Sequence, residues 1–212
     1  MKIHLAIAPV LTLLLLAPSA AAQRAGAPKR ADFFPLRVGD SWTYRHSEDL
    51  SEITVKVLSA EKQPDGTLRY LVEKLAGLKI DSWYAHAEGW VLLLREAYPE
   101  QEGFEIKYDP PKKFLKNPLV AGATWNWSGK NIAQADATEL NKVIGPEVVK
   151  VPAGRFRTVK VVSRVTDGGA LKTVTNWYAD GVGLIKSQTE GTGLTYGWEL
   201  VDYSFKKPGR RR

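Results

Sequence analysis

The sequence predicts an all-β protein whose antiparallel strands form one strongly curved sheet, an open half-barrel with little helix. Apolar and polar residues alternate with a period of two wherever the chain does not turn, and no long stretch carries the i, i+3, i+4, i+7 stripe of an amphipathic helix. Short glycine-containing turns separate successive strand signals, which predicts antiparallel neighbours. We expect roughly ten or more strands, and a sheet of that size curls or closes.

Before the first strand, the chain begins with an export signal. An apolar run over residues 5–17 follows a basic start and precedes three alanines at 20–22, small residues of the kind that signal peptidase recognises. We expect cleavage after Ala22 and no transmembrane span in the mature protein. We therefore expect a periplasmic or secreted protein. Because the 212 residues include no cysteine, we expect it to lack disulfides and not to be a lipoprotein.

Strand signals of the first half follow one another with clear turns between them. The turn at 63–66 contains a proline and a glycine in positions that suit them, and it predicts a hairpin between the runs on either side. The strand signals of this half cover residues 41–46, 53–57, 67–75, 78–87, 90–98 and 104–108.

The stretch 109–118 is predicted to be a connector rather than a strand. Pro110 and Pro111 open it and Pro118 ends it, and proline does not donate to the ladder of a central strand. Alternation resumes after it, with glycine-rich turns between the runs. The strand signals of the second half cover residues 124–128, 132–140, 147–151, 158–166, 171–179, 184–190 and 194–205.

Two short sequence patterns occur once in each half and in the same order. Residues 35–44 and 118–127 match at Pro, Leu, Gly and Trp, and residues 83–85 and 177–179 both read Trp-Tyr-Ala. We interpret them as one β-meander used twice within a single sheet. The expected organisation is a signal peptide at 1–22, one domain at 23–205 with halves at about 33–109 and 118–205, and a basic tail at 206–212.

Three segments carry a resemblance to a known group of proteins: residues 35–44, residues 151–161 and residues 177–184. They resemble recurring segments of exported bacterial domains of unknown function, whose sheets are similar to the half-barrel of LolA/LolB-type lipoprotein carriers. The resemblance implies a curved, open sheet and a carrier role. LolB-like carriers are lipid-anchored, whereas this chain has no cysteine to acylate.

The formal net charge of +7 is concentrated at the ends of the chain. Nine of the 30 basic residues lie within 1–30 and 206–212, so the body has a small excess of acidic residues. The basic tail is predicted to be solvated; the functional alternative is contact with an anionic envelope surface, which salt would screen. We expect no nucleic-acid partner, because an exported protein seldom meets nucleic acid.

The sequence gives little support for an enzyme. It lacks a G-x-S-x-G nucleophile elbow, and His46 and His86 have no histidine or cysteine at metal-ligand spacing, so we expect no catalytic residue, metal or cofactor. The least favoured alternative is a carboxylate-dependent hydrolase. Its candidate acids sit in a stretch that favours a solvated loop, and they are Glu100, Glu102, Glu105 and Asp109.

Aromatic residues are the best candidates for a binding site. On the inner face of a half-barrel they either fill the core or line a cavity for a lipid, an acyl chain or another hydrophobic ligand. The predicted function is therefore a binding or carrier protein, with an envelope structural or protein-interaction module as the alternative. The candidate ligand-binding residues are Trp42, Tyr44, Trp83, Trp125, Trp127 and Trp177.

Overall fold

The computed structural model describes residues 30–131, 133–191 and 193–205. The predicted signal peptide and basic tail lie outside the described residues. Within them the chain forms 12 strands and no helix, and hence no helix that could cross a membrane. The strands are β1 Ser41–His46, β2 Glu52–Lys62, β3 Leu68–Leu75, β4 Lys79–Ala87, β5 Trp90–Tyr98, β6 Phe104–Lys116, β7 Thr124–Lys130, β8 Asp136–Val151, β9 Gly154–Asp167, β10 Ala170–Ala179, β11 Gly183–Gly191 and β12 Leu194–Ser204.

All 12 strands belong to one antiparallel sheet with the order β6-β5-β4-β3-β2-β1-β12-β11-β10-β9-β8-β7. Each half is a meander, and the pairing of β1 with β12 joins the two halves. The sheet curls until its edge strands β6 and β7 approach each other, which makes it nearly closed and barrel-like. The predicted all-β, strongly curved antiparallel sheet is confirmed.

The core lies inside the curved sheet, on the face to which every second residue of each strand points. The apolar side chains that are almost wholly removed from solvent come from both halves, so one core serves the whole sheet. Those with at most 2% exposure are Val57, Val91, Leu115, Val143, Val161, Ile185 and Leu200.

The first repeated pattern forms the same turn in both halves. Gly39 and Gly122 have φ of 91° and 82°, a conformation that glycine adopts without a steric penalty. The N–H of Gly39 donates to the carbonyl of Val57 at 2.8 Å, and that of Gly122 donates to the carbonyl of Val143 at 2.9 Å. Both valines are fully buried. Each half therefore begins with a glycine turn that is bound to its own second strand.

The Trp-Tyr-Ala pattern also has the same geometry in both halves. The register shifts between its Trp and Tyr where β4 pairs with β5 and where β10 pairs with β11. A cationic side chain lies directly across the ladder from each tryptophan. Arg95 lies 4.1 Å from the ring of Trp83, and Lys186 lies 5.9 Å from that of Trp177. The two β-meander halves are thus similar in structure as well as in sequence.

The prediction of a connector at 109–118 was wrong. Strand β6 continues through Pro110 and Pro111 to Lys116. It is an edge strand, and its register jumps from Lys107 opposite Arg95 to Lys112 opposite Leu93, so the prolines fall in a bulge outside the ladder. Prolines are compatible with a strand at such places. The first half therefore reaches Lys116 rather than residue 109.

The two separate strands predicted at 132–140 and 147–151 are one long strand, β8. Its pairing with β9 shifts register between Val143 and Gly145 and then continues to Val151. The ladder skips Ile144, just before Gly145 and Pro146, and this bulge bends the strand without ending it. Residue 132 lies outside the described part of the chain.

Candidate functional site

The inner face of the first half surrounds an apolar cavity of about 330 Å³. Its walls come from β1 to β6 and from the facing strands β11 and β12. Trp42 and Tyr44 of β1, Tyr84 of β4 and Trp198 of β12 supply the aromatic part of the wall. Two of the six residues predicted to bind a ligand, Trp42 and Tyr44, therefore lie together in one cavity.

Hydrogen bonds between the halves fix the two aromatic side chains of β1. The indole N–H of Trp42 donates to the carbonyl oxygen of Val182 at 2.7 Å. The hydroxyl of Tyr44 donates to the carbonyl oxygen of Leu184 at 3.0 Å. Burial raises the pKa of the Tyr44 phenol well above its usual value, an effect that Tyr178 increases. This part of the wall is buried, hydrogen-bonded and uncharged.

Four polar side chains border the same cavity: Lys74 of β3, Ser82 of β4, Glu96 of β5 and Ser187 of β11. Burial lowers the pKa of Lys74, and the nearby Glu96 partly opposes this effect. The Tyr108 hydroxyl donates to Oε2 of Glu96 at 2.7 Å. Among the described residues the Lys74 ammonium has no hydrogen-bond or ion-pair partner. The cavity thus combines apolar walls with a few polar side chains.

A second, smaller cavity of about 130 Å³ lies between β6 and strands β7 to β10. Lys112, Trp125, Asn141 and Ser163 border it, and each of them is buried. The Lys112 ammonium forms an ion pair with the Glu139 carboxylate, with an N–O distance of 2.5 Å. This cavity is more polar than the first, and the predicted residue Trp125 belongs to it.

Side chains rather than a backbone ladder hold the seam between β6 and β7. The rings of Tyr108 and Trp127 meet edge-on with their centroids 5.9 Å apart, and the Lys112 ammonium lies 4.2 Å from the Trp127 ring centroid. A surface cavity of about 760 Å³ lies along this seam. The structure places Trp127 here, away from Trp42 and Tyr44.

The remaining two predicted residues lie elsewhere. Trp83 is next to the inward-facing Tyr84, so it faces the opposite side of the sheet, where Arg95 covers its ring. Trp177 is buried, and its indole N–H donates to Oε2 of Glu147 at 3.1 Å. The six aromatic residues therefore do not form one site.

Sequence reasoning missed the polar residues that border the two cavities. Lys74 is two positions after the buried Val72, and Asn141 is two before the buried Val143. Each polar residue therefore shares the inner face of its strand with an apolar one. Polar residues at inward positions were the signal that could have identified them.

Of the four candidate acidic residues of the hydrolase alternative, Glu105 forms ion pairs near the surface. Glu105 pairs with Arg95 at 2.9 Å and with Lys107 at 2.8 Å. The hydrogen bond from Lys107 lowers the pKa of Glu105, whereas a general acid needs a raised one. His46 pairs with Asp49 at 3.0 Å. The described residues contain no group of three or more His, Asp or Glu that could hold a metal ion.

Comparisons with known proteins show a similar fold. No family model and no curated protein sequence matches this chain. A predicted lipoprotein from Parabacteroides distasonis ATCC 8503 has a structure with a TM-score of 0.53 and 14% identity, over 83% of this chain and 100% of its own. A predicted exported protein with a YmcC-like fold from Bacteroides fragilis NCTC 9343 has a TM-score of 0.49 and 17% identity, over 82% of this chain and 100% of its own. Neither is described as a LolA/LolB-type carrier.

Proposed function

We propose that the protein is an exported binding or carrier protein, and that its interior cavity holds the apolar part of a lipid, an acyl chain or another hydrophobic ligand. The single observation that carries the proposal is the cavity of about 330 Å³ enclosed by Trp42, Tyr44 and the apolar residues of the facing strands. The sequence at residues 1–22 supports export.

The size and the wall of the cavity suit such a ligand. Small-molecule sites measure about 300–1,000 Å³ and are mostly apolar with a few polar groups. Each methylene group moved from water into an apolar site contributes about 0.8 kcal/mol. Because Trp42 and Tyr44 already have hydrogen-bond partners, binding does not have to order them.

Brominated fatty acid tests this proposal through the fluorescence of tryptophan. A chain brominated near its middle should quench the fluorescence of the wild-type protein. Trp42→Phe should reduce that quenching, and the part that remains should come from Trp198 in the same cavity wall. Trp83→Phe is the matched control, because Trp83 faces the other side of the sheet. Its replacement should leave the fluorescence lost on adding the brominated chain unchanged. A wild-type protein that is not quenched, and from which native mass spectrometry releases no lipid, would contradict the proposal.

One observation favours a second function, that of an envelope protein-interaction module. Strand β8 exposes Leu140, Ile144 and Val148 with 59%, 49% and 53% of their surface accessible. Leu140 lies opposite Asn126 of the edge strand β7, and Ile144 and Val148 lie beyond Lys142, the last β8 residue that pairs with β7. Apolar residues near a free edge are typical of strand-addition sites. Replacing Leu140 and Ile144 by Ser should weaken the binding of a protein partner. It should leave the quenching by brominated fatty acid unchanged.

A further inference from the structure

The smaller cavity presents hydrogen-bond donors that an apolar ligand does not use. Trp125 of β7 lies directly opposite Asn141 of β8, and Asn141 lies directly opposite Ser163 of β9. Residues opposite each other in a sheet share a face, so these three side chains form one row on the inner wall. All three border the cavity of about 130 Å³.

The hydrogen bonds of this row leave an excess of donors. The Ser163 hydroxyl donates to Oδ1 of Asn141 at 2.5 Å, which orients the amide and leaves its Nδ2 for another acceptor. Within the described part of the chain, neither Nδ2 of Asn141 nor Nε1 of Trp125 has a partner. The two residues are only 6% and 8% exposed. Buried donors without an acceptor are costly, and a ligand that supplies one removes that cost.

The repeat shows that the unpaired indole is particular to the second half. Trp42 holds the matching position in the first half, and its N–H donates to the carbonyl of Val182. Trp125 instead packs edge-on against the ring of Trp90, with centroids 6.0 Å apart. The first half therefore satisfies its tryptophan with its own chain, whereas the second half leaves the donor available.

The charges near the row do not supply the missing acceptor. Lys112 and Glu139 compensate each other in an ion pair at the border of the cavity. The row itself is uncharged, so the chemistry that fits it is an oxygen with acceptor capacity, such as that of a carbonyl or carboxylate group.

Phe114 lies between the small cavity and the large one. It borders both, and its ring contacts Tyr84 and Phe34 of the larger cavity with centroid distances of 5.5 Å and 5.4 Å. A chain that passes Phe114 would have its apolar part among the residues of the first half and its polar end beside Trp125.

We propose that Trp125 and Asn141 bind the acyl oxygen of an amphipathic ligand, a fatty acid or a fatty acyl ester, whose chain extends past Phe114 into the larger cavity. This inference rests on the proposed binding function and adds the identity and the location of the polar end. The two donors recognise the oxygen, and the apolar walls hold the chain.

Two brominated fatty acids test the orientation. One carries bromine next to the carboxyl group, and the other carries it near the end of the chain; without cysteine the protein has no thiol that the first could alkylate. Trp125→Phe should remove much of the quenching by the first probe, and Trp42→Phe much of that by the second. The reverse pattern would overturn the orientation but leave the binding function intact. Absence of quenching by either probe would contradict the binding function itself.

Asn141→Leu tests the recognition of the oxygen. The substitution removes the amide donors at similar side-chain volume. It should lower the affinity for a fatty acid by about tenfold, which is the effect of one good hydrogen bond. Affinity for a hydrocarbon of the same length should stay unchanged. Asn126→Leu on the exposed face of β7 is the control and should change neither affinity.

The choice of ligands in the same experiment distinguishes the two sources of the oxygen. Loss of affinity for both the free acid and its methyl ester assigns the site to the shared carbonyl group, and loss for the free acid alone assigns it to a carboxylate. An equal loss for the acid and the hydrocarbon would overturn the inference, because it would show that Asn141 only supports the shape of the cavity. Urea unfolding of each variant verifies that it is folded.

Discussion

At the scale of single residues, Trp42 and Trp125 hold matching positions in the two halves but differ in hydrogen bonding. Trp42 donates to Val182 across the junction between the halves, whereas the indole N–H of Trp125 has no acceptor within the described residues. Both rings are buried. Trp42 therefore joins the two halves, whereas the indole N–H of Trp125 is available to a ligand.

Replacement of each tryptophan by phenylalanine should reveal that difference in stability. Both variants lose ring volume, but only Trp42→Phe also loses a hydrogen bond, which contributes about 1 kcal/mol. We therefore expect Trp42→Phe to lower the free energy of unfolding by about 1 kcal/mol more than Trp125→Phe. Urea unfolding followed by circular dichroism measures both values. Equal losses would show that the Val182 bond contributes nothing to stability.

Lys74 provides a second test at this scale, through the pH dependence of stability. Burial lowers its pKa in the folded protein, whereas in the unfolded chain the pKa is about 10.5. Between these two pKa values the unfolded state binds more protons, so stability rises with pH as the burial penalty of the ammonium is removed. Lys74→Met should thus stabilise the protein at neutral pH, and the gain should shrink as the pH approaches 10.5.

The exposed Lys142 on β8 supplies the matched control for this experiment. Lys142→Met should change the free energy of unfolding little at any pH. Urea unfolding at neutral pH and near pH 10 gives the difference in free energy of unfolding between each variant and the wild type at the two pH values. A Lys74→Met variant that is less stable than wild type at neutral pH would show that the ammonium has a stabilising partner.

At the scale of strands, the seam between β6 and β7 depends on side chains. Lys112 contributes twice, through its ion pair with Glu139 and through its position over the Trp127 ring. Strands without a backbone ladder between them open at lower free-energy cost than paired strands. The seam is therefore the place where the nearly closed sheet opens most readily.

Hydrogen exchange tests the role of Lys112. Lys112→Met should speed the exchange of amides in β6 and β7 and leave β1 and β12 unchanged. Lys186→Met is the control, because Lys186 forms a comparable 2.7 Å ion pair with Glu199 between strands that are also joined by backbone hydrogen bonds. If both variants change exchange at the seam equally, the Lys112 contacts do not hold it.

Much of this level of structure was predictable from alternation and turn residues. The hairpins around residues 63–66 and the repeated glycine turns follow from local preferences that the sequence displays. The path of β6 through two prolines was not predictable, because edge position and a wide bulge are decided by the whole sheet. Period-two alternation indicated that Trp42 and Tyr44 share a face, but the cavity borders formed by Lys74 and Asn141 depend on contacts between distant strands.

At the scale of the whole molecule, the shared core holds tyrosines in an environment that disfavours their ionised form. Burial raises the pKa of Tyr98 to about 12, with Glu96 adding to the effect. Burial also raises the pKa values of Tyr44, Tyr84, Tyr108 and Tyr178 further above the usual value of 10.0. In the unfolded chain all five would ionise near pH 10.

Stability should therefore fall in alkali. Above about pH 10 the folded state retains protons that the unfolded state releases, so the free energy of unfolding decreases as the pH rises from 10 towards 12. Urea unfolding at about pH 8, 10 and 11 measures the decrease, and phenolate absorbance shows whether the native tyrosines stay protonated. A native protein whose tyrosines all ionise near pH 10 without loss of stability would contradict the burial of these groups.

The junction of the halves has a consequence for how the chain can be divided. Residues 117–123 are the only covalent link between β6 and β7, and the β1–β12 ladder with the bonds to Val182 and Leu184 joins the halves without it. Two separately produced fragments that end and begin within 117–123 should associate in solution and form the complete sheet. If the cavity holds an acyl chain, as proposed above, the presence of that ligand should favour reassembly, because the cavity takes its wall from both fragments.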